Sequence, residues 1–156
     1  GRIIAVDPVP EKLALAAALG ATDGLEPSAD IARQIRALCD RRGADHAIEC
    51  VGRAETIRAA WSCTRRGGRA TIVGLGSADD PVSFNALEIT HFARTLAGCM
   101  YGNADPSADI PWLVEQYRRG RLQLRAMVTG TVGLAEVGPA LDRLASATGA
   151  RTLVRP

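Results

Sequence analysis

A chain of 156 residues has room for about one domain with a real hydrophobic core. It is 47% hydrophobic but only 4% aromatic, so small and branched aliphatic residues must fill that core, a balance that suits helices on a sheet and excludes a disordered chain. The 19 basic residues are interspersed with 17 acidic ones, which argues against a nucleic-acid surface, and no apolar run approaches the ~20 residues of a membrane span.

The chain opens on R-I-I-A-V-D, residues 2–7, an apolar run closed by an acid, as expected of a parallel strand buried on both faces. Pro8 and Pro10 stop it, and E-K-L-A-L-A-A-A-L-G predicts a helix with Pro10 in its first turn and Gly20 at its C-terminal cap. Ser28 is the expected N-cap of a second helix that carries Ile31, Ile35 and Leu38 on one face. The alternation then repeats. Residues 45–51, D-H-A-I-E-C-V, predict a strand turned by Gly52, and a helix follows from Ala54 to Arg65 with Ile57, Trp61 and Thr64 at helical spacing. Gly67-Gly68 releases the chain into the buried strand R-A-T-I-V-G; after a polar loop come a short helix over 85–92 and a last strand over 95–101. Strands alternating with helices in this way predict a parallel sheet with right-handed crossovers.

Past Gly102 the rhythm changes. A helix is expected over 107–120 that carries Ile110, Leu113, Val114 and Tyr117, then an irregular stretch L-Q-L-R-A-M-V-T, a helix from Leu134 to about Ser146, and a closing strand R-T-L-V. We place a domain boundary near residue 101. The basic pairs Arg41-Arg42, Arg65-Arg66 and Arg118-Arg119 each fall where a helix should end, complementing its dipole. Cys39, Cys50, Cys63 and Cys99 form no C-x-x-C pair, so the chain does not read as a zinc site; buried free thiols in a reducing cytosol are the expectation. His46 and His91 are expected at surface or strand-end positions.

The sharpest local signal is Asp7. In a dinucleotide-binding sheet an acid at the end of the second strand accepts hydrogen bonds from the adenosine ribose and repels a 2′-phosphate, selecting NAD over NADP. An ordinary acid entering a turn ahead of a helix explains the same residue, and a solvated lysine explains Lys12 one turn later. The G-x-G-x-x-G turn that should precede such an acid by about 20 residues is absent, and only six residues precede Asp7. A Rossmann reading therefore requires the first strand, turn and helix to lie upstream, and an initial residue that is glycine rather than methionine agrees with an N-terminus lying elsewhere.

Longer strings carry a resemblance. R-I-I-A-V-D…K-L-A-L-A-A-A-L-G-A-T-D, then G-A-D-H-A-I-E-C-V-G and R-R-G-G-R-A-T-I-V-G, and above all G-C-M-Y-G-N-A-D-P-S-A-D-I-P-W-L-V-E-Q-Y-R-R-G-R-L, run through essentially the whole chain. They resemble the C-terminal portion of the zinc-dependent medium-chain alcohol dehydrogenases, in the branch of the classical alcohol dehydrogenases and the thiol-linked formaldehyde dehydrogenases. The resemblance implies an α/β fold: a Rossmann-like doubly wound parallel sheet lacking its first strand and glycine-rich turn over residues 1–101, and the C-terminal part of a GroES-like catalytic domain over 102–156. Residues 102–156 should then expose an apolar patch that the body of that domain covers.

The resemblance further implies NAD as cofactor, with Asp7 and Lys12 on the adenosine ribose and Val51 and Arg53 lining the adenine and ribose side. Val73 and Leu75 would lie along the nicotinamide, backbone groups near Val73, Cys99 and Tyr101 would fix its carboxamide, and Arg151 would meet the pyrophosphate. For Val51, Val73 and Leu75 plain strand core is the competing explanation, and for Arg151 a solvated charge before the last strand. Zinc is implied too, with its ligands and the proton relay outside this chain, so no catalytic residue and no metal ligand is assigned here. The intact enzyme would pass hydride between an alcohol or aldehyde and the nicotinamide in the cytoplasm, as a homodimer or homotetramer built through the edge strand 95–101, with neither nucleic acid nor membrane as partner. The chain alone would be inactive and bind NAD weakly or not at all. A zinc-free medium-chain reductase of the quinone oxidoreductase kind and a short non-catalytic binding module are the alternatives; the string C-M-Y-G-N-A-D favours the first reading over the reductase.

Overall fold

A computed structural model describes residues 1–145 and 149–156, which divide into two compact units, residues 1–26 with 105–156 and residues 27–104. The fold is α/β, and every strand pairing is parallel.

In the first unit β1 (Ile4–Val6) leads into α1 (Pro10–Ala18) and back to β2 (Asp23–Leu25), in register Ile4↔Asp23 to Val6↔Leu25. Pro10 occupies the first helical turn, where its missing N–H costs nothing, and Gly20 at φ +110° turns the chain after the helix. The expectation of a β1 buried on both faces fails: its residues are half-buried or exposed, because within the described strands β1 is covered by hydrogen bonds on the β2 side only. β2 is three residues with a central glycine, too short to show a period in the sequence. Further on, the unit has α5 (Pro106–Arg118), N-capped by Asp105, which accepts a hydrogen bond from the Ser107 N–H at 2.9 Å. β6 (Val128–Gly133) emerges from the irregular stretch and pairs with β7 (Arg151–Arg155); a 3-10 turn over Leu134–Glu136 leads into α6 (Val137–Ala145) between them. The predicted helix end at Ser146 lies outside the described residues. Gln116 is the one buried side chain among the described residues of this unit. Ile110, Trp112, Leu113 and Val114 of α5 and Leu141 and Leu144 of α6 are all exposed, so residues 102–156 carry the exposed apolar patch expected of them.

The second unit is better packed. α2 (Ile31–Leu38) and α3 (Ala54–Cys63) flank β3 (Ala44–Glu49) and β4 (Thr64–Ile72), and α4 (Ala86–Phe92) precedes β5 (Thr95–Gly98); the sheet order is β3-β4-β5. Ile31, Ile35, Trp61, Cys63 and Ala70 form the core, so the predicted face of α2 is buried at Ile31 and Ile35 and half-buried at Leu38. Trp61 meets Phe84 edge-on with centroids 5.2 Å apart.

Three local expectations are corrected. Asp30, not Ser28, occupies the N-cap position of α2, while the Ser28 hydroxyl accepts from Gln34 Nε2 at 2.9 Å. Arg65-Arg66 lie in β4 rather than a helix end: Thr64, fully buried, is already extended and donates its hydroxyl back to Ala60 and Trp61 carbonyls, closing α3, and Arg65 pairs with Asp45. Cys50 is exposed, not buried, one residue beyond the end of β3, whereas Cys63 is buried and its thiol is pushed up to about 11 by that burial.

Candidate cofactor site

β3, β4 and β5 run parallel with Glu49, Ile72 and Gly98 side by side in register at their carboxyl ends. The residues that follow each strand therefore share one edge of the sheet, which is where open α/β sheets take ligands. Val51 and Arg53 follow β3, Val73 and Leu75 follow β4, and Cys99 follows β5, so five of the nine residues assigned by resemblance fall on one edge. Backbone bonds lock the three ends together: Val73 N and Gly74 N donate to the Glu49 carbonyl at 2.8 and 3.1 Å, and Cys99 N donates to the Ile72 carbonyl at 2.8 Å.

Beyond the strands, the β3 and β4 turns pack backbone against backbone. Gly52 sits at φ +83°, and a Cβ there would lie 2.5 Å from the Leu75 carbonyl carbon. A Cβ on Gly74 would lie 2.5 Å from the Val51 carbonyl carbon and closer still to Gly52 N. Only glycine fits at either position, one by both conformation and space, the other by space alone. The apolar side chains beside these glycines turn outward: Val51 is 61% and Leu75 85% exposed, which removes plain strand core as their explanation. Val73 is exposed as well.

Beneath the turn lies a residue that sequence reasoning did not single out. Glu49 is buried, and its Oε1 accepts hydrogen bonds from Val51 N at 2.8 Å, Gly52 N at 2.9 Å and Thr56 Oγ1 at 2.7 Å, while Oε2 is buried without a partner. One carboxylate thus shapes the Val51–Arg53 turn and ties it to the first turn of α3. Its signal was present: like Asp7, it is an acid closing an apolar strand. Asp80 was also missed. Its Oδ2 accepts from Ala54 N at 2.8 Å and sets a negative charge at the N-terminus of α3. Arg53 is the exposed N-cap residue of the same helix.

The other four assigned residues lie elsewhere. Asp7 follows β1, half-buried; its N–H donates to the Leu25 carbonyl at 3.2 Å and its Oδ1 accepts from Val9 N at 2.9 Å, an Asx turn that leads into α1. That bond uses one carboxylate oxygen and leaves Oδ2 for another donor. Lys12 is half-buried in the first turn of α1. Tyr101 begins a 3-10 turn (Tyr101–Asn103) with φ +48° and an exposed ring, and Arg151 opens β7, exposed, donating to the Ala150 carbonyl at 3.2 Å.

Among the described residues no three of histidine, cysteine, aspartate and glutamate gather closely enough to hold a metal ion. His46 is exposed on β3 and His91 is exposed in the last turn of α4, ring against Phe92.

Comparison with known proteins places this geometry. Residues 1–118 match the family described as zinc-binding dehydrogenase. The chain is 32% identical over 157 aligned positions to an S-(hydroxymethyl)glutathione dehydrogenase of Synechocystis sp., covering 99% of this chain and 42% of that protein. It is also 32% identical to alcohol dehydrogenase 1 of Pisum sativum, covering 99% and 41%. Among solved structures it superimposes on the alcohol dehydrogenase of Aeropyrum pernix with a TM-score of 0.87 at 26% identity, covering 100% of this chain and 43% of that one. Benzyl alcohol dehydrogenase from Acinetobacter calcoaceticus shares the fold with a TM-score of 0.91 at 24% identity, covering 99% and 42%. The chain thus spans about two fifths of the length of the relatives it matches.

Proposed function

The chain belongs to the zinc-binding dehydrogenase family, and we propose that it supplies the NAD-holding part of an alcohol dehydrogenase that moves hydride between an alcohol or aldehyde and the nicotinamide. The observation that carries the proposal is the carboxyl-end edge of β3-β4-β5, where Gly52 and Gly74 strip side chains from two touching turns and Val51, Val73 and Leu75 face outward. Apolar side chains exposed at strand ends beside a bare backbone suit a flat, aromatic ring system. The cofactor supplies the hydride acceptor; this chain's residues bind and orient it. Val73 and Leu75 would lie along the nicotinamide, with backbone groups at Val73, Cys99 and Tyr101 toward its carboxamide. Val51 and Arg53 would line the adenine side, and Arg151 would meet the pyrophosphate. Asp7 Oδ2, with Lys12 beside it on α1, would accept from the adenosine ribose.

The described residues offer no ligand set for zinc. In the same proposal, residues 1–101 act as a partial nucleotide-binding domain and 102–156 as part of a catalytic domain, which accounts for the exposed apolar side chains of α5 and α6. β5 has a described strand neighbour on its β4 side only, which supports self-association through that edge, as a homodimer or a tetramer of dimers. A cytoplasmic location belongs to the same proposal; no described helix is long and apolar enough to cross a membrane.

Asp7→Ser tests the cofactor reading. Serine keeps an acceptor for Val9 N, so the turn survives while the negative charge goes. In the protein that carries this chain, the preference for NAD over NADP should fall about tenfold or more, the worth of a charge-assisted hydrogen bond plus relief of repulsion with the 2′-phosphate. Unchanged selectivity between the two cofactors removes Asp7 from the site.

A further inference from the structure

We propose, on the cofactor reading above, that Glu49 is a positioning residue that anchors the two walls of the edge separately. Its main-chain carbonyl holds the nicotinamide-side turn, and its carboxylate holds the adenine-side turn. Glu49 closes β3 and is only 4% exposed. Its bonds divide cleanly between the two turns. The carbonyl accepts from Val73 N at 2.8 Å and Gly74 N at 3.1 Å. Every hydrogen bond of the carboxylate goes to the 51–56 segment instead: Oε1 accepts from Val51 N at 2.8 Å, Gly52 N at 2.9 Å and Thr56 Oγ1 at 2.7 Å, and Oε2 is buried with no partner.

The division sets what a change of side chain can reach. The bonds from Val73 and Gly74 continue the parallel pairing of β3 with β4, and any residue at position 49 offers the carbonyl they need. The Val51–Arg53 turn has no such guarantee. It carries Gly52 at φ +83°, and two successive N–H groups converge on one carboxylate oxygen. Without that acceptor both donors must find water or the turn must open. A turn ordered only when ligand arrives subtracts its lost backbone entropy from the affinity. That loss falls on the adenine half of the cofactor alone, because the carbonyl still holds Val73 and Gly74. What the turn requires is an acceptor, not a charge, since all three donors are neutral.

The test titrates NAD and ADP-ribose, which lacks the nicotinamide, by calorimetry into the full-length protein that carries this chain. In E49A both affinities should fall about tenfold, leaving their ratio as in the parent. E49Q keeps an oxygen for the three donors and should stay within about threefold of the parent. Hydrogen exchange read by mass spectrometry should quicken over Val51–Arg53 in E49A and stay unchanged over Val73–Leu75. If E49A does not fold, Thr56→Val, which removes one donor at nearly constant volume, should weaken both ligands about threefold. Parent-like affinity in folded E49A, a larger loss for NAD than for ADP-ribose, or E49Q as weak as E49A overturns this inference alone. So does exchange that quickens equally in both turns, unchanged binding by Thr56→Val where E49A does not fold, or a parent that binds NAD but not ADP-ribose. A parent that binds neither ligand overturns the cofactor reading and this inference together.

Discussion

Replacing Gly74 by alanine tests the close approach on which the proposed cofactor edge depends. Its backbone does not have positive φ, so the substitution meets no conformational penalty; the obstacle is the Val51–Gly52 backbone, 2.5 Å from the new Cβ at the Val51 carbonyl carbon. Relieving that overlap requires the two turns to separate by roughly 1 Å, since hydrogen-bond geometry and van der Waals contact both fail at shorter range. Such a shift breaks one of two sets of bonds. Either Val73 N and Gly74 N leave the Glu49 carbonyl, or Val51 N and Gly52 N leave the Glu49 carboxylate. The backbone pair is worth about 1–3 kcal/mol and the carboxylate pair about 3–6 kcal/mol, so the chain gives up the former and keeps some strain. We expect a loss of about 2–4 kcal/mol, a large share of the stability of an ordinary domain. It should appear as a drop in Tm of roughly 5–15 °C and a lower denaturation midpoint, read from Trp61, buried, with Trp112, exposed, replaced by phenylalanine. Gly98→Ala is the control, because a Cβ there meets nothing within 4 Å. If Gly74→Ala unfolds at the same denaturant concentration as Gly98→Ala, the two turns do not touch as described.

Other consequences are measured more simply. Burial alone would raise the Glu88 carboxyl, but hydrogen bonds from Arg58 and Trp61 and the Arg58 charge hold it below its ordinary value of 4.5. The unfolded chain therefore binds the proton more readily, so this contribution is present above pH about 4.5 and lost as pH falls through the folded value. Glu88→Gln should flatten the acid limb of a stability–pH curve, and an unchanged limb would exclude the ion pair as its source. Alkylation at neutral pH should modify Cys50, exposed, ahead of Cys63, whose buried thiol titrates at about 11; equal rates by mass spectrometry would contradict that burial. Trp61→Ala should cost about 3–5 kcal/mol in unfolding experiments, since it opens a cavity at the packed centre of the 27–104 unit; a loss below about 1 kcal/mol would show the indole to be replaceable there.

Much of the strand–helix alternation was readable because it rests on local chemistry: prolines at helix starts, glycines after helix ends, and an apolar stripe on α2. What escaped reading has a common cause in long-range pairing. β3 and β4 pair at Ala44↔Thr64 and again at His46↔Arg69, so five residues of one strand pass against two of the other, and no period in the sequence announces that bulge. The same irregularity carries Arg65-Arg66 from an expected helix end into a strand. Asp80 caps a helix that begins 26 residues earlier, and Glu49 is recognisable as a turn-shaping group only once Val51 N, Gly52 N and Thr56 are seen around one oxygen. Val51, Val73 and Leu75 could be placed at strand ends from sequence, but whether they were core or exposed depended on the meeting of Gly52 with Gly74.

The distribution of packing bears on how such a site would work. All the buried apolar side chains described belong to residues 27–104, and there the proposed nicotinamide and adenine walls rest on a carboxylate with three donors and on turns that admit no side chain. Asp7, Lys12 and Arg151 instead sit in a unit whose described apolar side chains are half-buried or exposed. Local opening free energy follows buried apolar contact, so amides of β3 and β4 should exchange hydrogen far more slowly than those of β1, β2 and β7.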